Sequence, residues 1–154
     1  MNKKLIIALV VLAVAQFFKP TPNENIYHAK SDFLAIEKPS EAIANKIQAS
    51  CYNCHSNNTA YPWYNKITPV NFWLNNHVKG AKKHINFSNW SKYSTKNKLH
   101  ALEECVEVLE AHQMPLKSYV WLHKEAKLSE EKRKEIVIWL QQLQVKYELE
   151  APPM

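Results

Sequence analysis

The pentapeptide Cys51-Tyr52-Asn53-Cys54-His55 constrains this chain more than any other stretch. Cysteines at that spacing lie on one helical turn, where each thiol can add across one vinyl group of the same porphyrin. The histidine directly after them offers its imidazole to the iron from the proximal side. Cys51 and Cys54 are therefore candidate thioether sites for one covalently held haem c, and His55 is the candidate axial ligand. Rival uses of a Cys-x-x-Cys pair lack their context. Zinc takes about four ligands, and the only other cysteine, Cys105, stands alone. A thioredoxin-like dithiol expects a βαβ frame, and no strand pattern precedes Cys51.

A single glycine in 154 residues argues against a turn-rich β protein and for helices joined by short loops. Apolar residues make up 46% of the chain, enough for one core. The expected fold is all-α and cytochrome c-like, with about four main helices around the haem. The formal net charge of +6 comes almost entirely from dispersed lysine, with Arg133 the single arginine. Without a basic run this disfavours nucleic acid; it suits acidic redox partners or anionic lipid. Paired catalytic carboxylates, a Gly-rich phosphate loop and a Ser/His/Asp constellation are not evident, so hydrolase and nucleotide-enzyme readings have no support.

In chain order, residues 1–20 read as a signal peptide or N-terminal membrane anchor. Asn2-Lys3-Lys4 is the positive start, Leu5 to Ala15 is unbroken apolar sequence, and Ala13-Val14-Ala15 has the form a signal peptidase accepts. The apolar run is short of the ~20 residues of a comfortable span. An export signal agrees with the pentapeptide, because covalent haem attachment takes place outside the bacterial inner membrane; a periplasmic location follows. Residues 21–39 read as a linker. The haem domain is expected over 40–150. Its first helix is capped by Ser40 and carries Ile43 and Ile47 into Cys51.

Tyr61-Pro62-Trp63-Tyr64 follows closely, and Trp63, Tyr64, Phe72 and Trp73 are candidates for an aromatic wall against the porphyrin. Thr68-Pro69 predicts a helix start with Pro at N1. Val70, Trp73, Leu74, His77, Val78 and Ala81 then give an amphipathic stripe ending near His84, with Gly80 at a close packing contact. Ser94 or Thr95 caps a third helix with the stripe Leu99, Leu102, Val106 and Leu109; Cys105 beside it reads as a small buried residue. Ser129 caps the last helix, whose buried face is Ile136, Leu140, Leu143 and Tyr147, and Pro152-Pro153 ends it.

Met114 is the preferred sixth ligand, because Met114-Pro115 follows a helix end and holds the thioether on a stiff loop. His112 and His77 are its rivals, with His84, His100 and His123 behind them. A thioether ligand raises the reduction potential relative to bis-histidine.

The chain resembles the small bacterial haem-binding-domain family of exported or membrane-tethered single-haem proteins, from about Gln16 to Leu140. The resemblance rests on CYNCHSN (Cys51 to Asn57), the YPWY block, HVKGAKKHINFSNW (His77 to Trp90) and MPLKSYVWLHKEAKLSEEK (Met114 to Lys132). It implies Cys51 and Cys54 as thioether sites, His55 as proximal ligand and Met114 as distal ligand. One departure stands out: the family pattern has Gly and an acidic residue before Met-Pro, where this chain has His112 and Gln113. The expected function is periplasmic electron transfer by one haem. The alternatives are a haem-based sensor with a displaceable sixth ligand, or a peroxidase with an open one.

Overall fold

The computed structural model describes residues 2–151, so the Pro152-Pro153 stop lies outside the described residues. Among them there are helices and no strand. The helices are α1 (Lys3–Ala15), α2 (Phe33–Glu37), α3 (Glu41–Ile47), α4 (Asn53–His55), α5 (Val70–His84), α6 (Thr95–Glu110), α7 (Lys117–Leu122) and α8 (Glu130–Glu150). The all-α expectation holds.

Side-chain caps fix most of the starts. The Ser40 hydroxyl accepts from the Ile43 amide, Ser94 from Asn97 and Ser129 from Lys132, each satisfying an amide that the helix leaves unpaired. Glu130 and Glu131 follow Ser129 into the positive end of α8. α5 starts one residue later than expected, with Pro69 as its N-cap rather than at N1. The Thr68 hydroxyl does not cap α5, because it donates to the Phe18 carbonyl and accepts from the Asn71 amide group.

α6 lies along α8, joining Ala101, Leu102 and Leu109 to the inner face of Ile136, Val137, Leu140, Leu143 and Tyr147. An aromatic group closes the other side of this core. The Phe33 ring stacks on Phe87 at 5.0 Å and meets the edges of Trp90 at 4.8 Å and Trp139 at 5.4 Å. Phe33 is fully buried.

Residues 21–39, expected as a linker or entry segment, are joined to the domain by packing and hydrogen bonds. Asp32 caps α2 by accepting from the Leu34 and Ala35 amides, which fixes Phe33 facing inward. Farther upstream, Asn23 donates to the Ser56 carbonyl and the Thr59 hydroxyl, and Glu24 forms an antiparallel bridge with Asn58. The segment is sewn to the loop that follows the pentapeptide.

α1 behaves differently. None of its residues is buried, and its apolar side chains face outward. Among the described residues no helix is long and apolar enough to cross a membrane.

Candidate functional site

The helix carrying the pentapeptide does not run on as a regular α-helix. After α3 the chain opens into a π-helical turn, Gln48–Tyr52, before closing into α4. Such wide turns add one residue to the helical repeat and recur at functional sites. Ser50, Cys51, Cys54 and His55 all line one cavity of about 670 Å³. Ligand pockets typically span about 300–1,000 Å³.

Opposite walls come from three elements. α5 contributes His77, Gly80, Ala81 and His84, a stripe at helical spacing. α6 contributes Ala101, Cys105 and Val108, and the α6–α7 connection contributes Met114, Pro115 and Leu116. Phe33, Ile85, Phe87 and Leu140 complete a largely apolar lining. Gly80 is not at a close packing contact: a Cβ built there meets nothing within 4 Å. It widens the cavity instead.

Burial governs the chemistry of the lining. It pushes the Cys51 and Cys105 thiols up to about 12, and it raises Cys54 as well. All three stay protonated near neutral pH, which disfavours the thiolate chemistry of zinc binding or disulfide exchange. No group of three or more His, Cys, Asp or Glu is placed to hold a metal ion among the described residues. Burial also lowers the pKa of His55 against the opposing backbone hydrogen bonds, so its imidazole is neutral. His55 Nδ1 lies 3.2 Å from the Ile85 carbonyl oxygen. A carbonyl only accepts, so Nδ1 carries the proton and Nε2 keeps its lone pair. The ring meets Phe87 edge-on at 6.1 Å, and Phe87 in turn stacks on Tyr52 at 5.0 Å.

Met114 is held through its backbone. Its amide donates to the Val108 carbonyl at 3.2 Å, and its carbonyl accepts from Arg133 Nη1 at 2.6 Å. Arg133 also donates to the Leu109 carbonyl at 2.9 Å, so the single arginine ties α8 to the end of α6 and the methionine loop. Sequence reasoning gave Arg133 no role. Its distance from Met114 along the chain hides the contact.

The rival histidines divide cleanly. His112 occupies the left-handed region at φ 55°, in a Schellman turn where its own amide bonds Leu109 O and the Gln113 amide bonds Val108 O. Its ring points away from the cavity, toward Glu130 at 3.6 Å. A left-handed turn of this kind ordinarily favours glycine, which carries no Cβ to clash. His100 is exposed beside Glu104. His123 spends both ring nitrogens, on the Tyr64 hydroxyl at 2.8 Å and Glu125 at 3.0 Å. Only His77 and His84 among the rivals line the cavity with Met114.

The expected aromatic wall is absent from the cavity. Trp63, Phe72 and Trp73 are exposed, and Tyr64 is buried against His123. The reason is the rotation of α5, which buries Asn71, Leu74, Asn75 and Val78 and turns Phe72 and Trp73 outward. Phe33, Phe87 and Tyr119 serve as the aromatic lining instead.

The haem-binding domain family matches residues 10–142, most of the chain. The chain belongs to that family. No curated protein and no solved structure matched it.

Haem fits what the residues present. The lining is apolar, the small residues Gly80, Ala81 and Ala101 leave room for a flat ring, and a neutral imidazole stands on the same wall as two protonated thiols. The chain binds haem, and this cavity holds the residues that fit it.

Proposed function

We propose that the protein is a monohaem electron carrier of the periplasm, with haem c attached through Cys51 and Cys54 and ligated by His55 and Met114. The observation that carries this reading is the meeting of all four residues on one cavity, while His112, His100 and His123 are held elsewhere. Bound, the group supplies a one-electron Fe(III)/Fe(II) couple.

The remaining work belongs to the chain. The Ile85 carbonyl fixes the tautomer and orientation of His55, as outer hydrogen bonds do for metal-ligating histidines. Arg133 and the Schellman turn hold the methionine loop, so the thioether needs little reorganisation between oxidation states. The largely apolar lining would favour the less charged, reduced state of a bound haem. Dispersed lysine, at a net charge of +6, steers acidic partners toward the protein. Export is supported by α1, whose apolar residues contribute nothing to the core.

A second reading, a sensor in which Met114 yields to another ligand, draws on His77 and His84 lining the same cavity. A redox titration of Met114→Ala tests the methionine ligation on which the carrier rests. In a carrier with a methionine ligand the potential falls by on the order of 0.1 V, within the ~0.8 V that axial ligands span. An unchanged potential contradicts His/Met ligation.

A further inference from the structure

Several exposed aromatics that do not line the cavity belong to two segments joined at the foot of α1. Gln16 Nε2 donates to the Thr68 carbonyl at 3.0 Å, and the Thr68 amide donates back to Gln16 Oε1 at 2.9 Å. The Thr68 hydroxyl donates to the Phe18 carbonyl at 3.1 Å. These bonds clamp the end of α1 to the turn leading into α5, so α1 is no free tether. Phe17 and Phe18 adjoin Gln16 in the chain, and Trp63, Ile67, Phe72 and Trp73 lie near Thr68 in the chain; all six are exposed, Phe17 at 87% and Trp63 at 71%.

We propose that this patch seats the haem domain on an anionic bilayer surface, with α1 inserted beside it. The proposal rests on the reading in which α1 is retained as an anchor. At 1.5 Å per residue, the 13 residues of α1 reach only about 20 Å, against a hydrocarbon core of about 30 Å. A helix that short, hydrogen-bonded to the domain, buries its apolar residues only when its foot reaches the headgroup layer, with Lys3 and Lys4 snorkelling toward the far side. Tryptophan favours that layer, where its ring is apolar and its N–H stays wet. Lys19 and Lys66, both exposed in the same stretch, supply the charge that anionic headgroups attract. Left in water, α1 and these aromatics expose apolar surface of the kind that marks an interaction site.

The test uses the full haem-loaded chain in vesicles of phosphatidylethanolamine and phosphatidylglycerol. These carry a lipid with a diazirine near its headgroup, and adducts are mapped by peptide mass. Adducts are expected on residues 16–18 and across 63–73, and not on the exposed α8 residues Val145 and Leu149. Gln16→Ala, which removes two of the three clamp bonds without touching the cavity, lowers labelling across 63–73 while α1 stays labelled and the haem spectrum is unchanged. Labelling confined to α1 overturns the seat but leaves the anchor. Cross-links between two copies, with the patch shielded from lipid, overturn it in favour of a dimer contact. A chain that begins after Ala15 and takes no lipid label overturns seat and anchor together. None of these outcomes bears on the haem site, which its absorption spectrum tests separately.

Discussion

His112 is the residue that sets how the chain approaches Met114. A side chain at φ 55° costs about 1–2 kcal/mol relative to the right-handed region, somewhat less where a local hydrogen bond helps. His112→Gly is therefore expected to raise stability by up to about 1 kcal/mol, the strain relieved less glycine's extra unfolded-state entropy. Denaturant titration measures it. The haem spectrum stays unchanged, because His112 faces Glu130 and not the cavity; a changed spectrum makes His112 a ligand. Gly80 carries the opposite expectation. Gly80→Leu extends a side chain into the open cavity, so haem incorporation falls several-fold while far-ultraviolet circular dichroism keeps its helical form. At this scale Cys51, Cys54, His55 and Met114 stood out because short local motifs mark them, and the structure places all four on one cavity. Gly80 was misread because spacing shows which face a residue occupies but not whether that face is packed or hollow.

Among the elements, α2 is the one whose importance the sequence conceals. Five residues between prolines look like a connector, yet they deliver Phe33 into contact with Phe87, Trp90 and Trp139. Phe33→Ala is expected to cost about 3–5 kcal/mol, the usual range for emptying a buried aromatic site. A loss under about 0.5 kcal/mol, the scale of surface substitutions, would return the segment to linker status. Helix starts at Ser40, Ser94 and Ser129 were readable because a cap is a local hydrogen bond. The rotation of α5 was not. Its buried face includes Asn71 and Asn75 while Phe72 and Trp73 face out, so apolar periodicity points the wrong way. The π-helical turn was hidden for a related reason: no composition marks Gln48–Tyr52 for one extra residue per turn.

Across the whole molecule, Glu37 joins three distant pieces. Its carboxylate, with no exposed side-chain area, accepts from Trp90 Nε1 at 2.6 Å, from Lys146 Nζ at 2.9 Å and from the Tyr147 hydroxyl. Burial pushes its pKa up, but the hydrogen bonds from Tyr147, Lys146 and Trp90 outweigh burial, and the net shift is downward. A depressed carboxylate contributes stability that is fully present above the unfolded-state value of about 4.3 and is lost as pH falls through the lower folded value. Glu37→Gln should therefore flatten the acid limb of the stability profile below about pH 5, read from denaturant midpoints across pH. An acid limb of wild-type steepness would show that other carboxylates govern it.

How the haem is held can be read from one absorption spectrum. The protein is made with c-type maturation present, and its absorption is recorded oxidised, reduced, and after acid–organic extraction. Haem is expected to stay with the protein through extraction, and the oxidised form to show a weak near-red iron–sulfur band. Haem that extracts freely contradicts attachment through Cys51 and Cys54; retained haem without the band contradicts ligation by Met114.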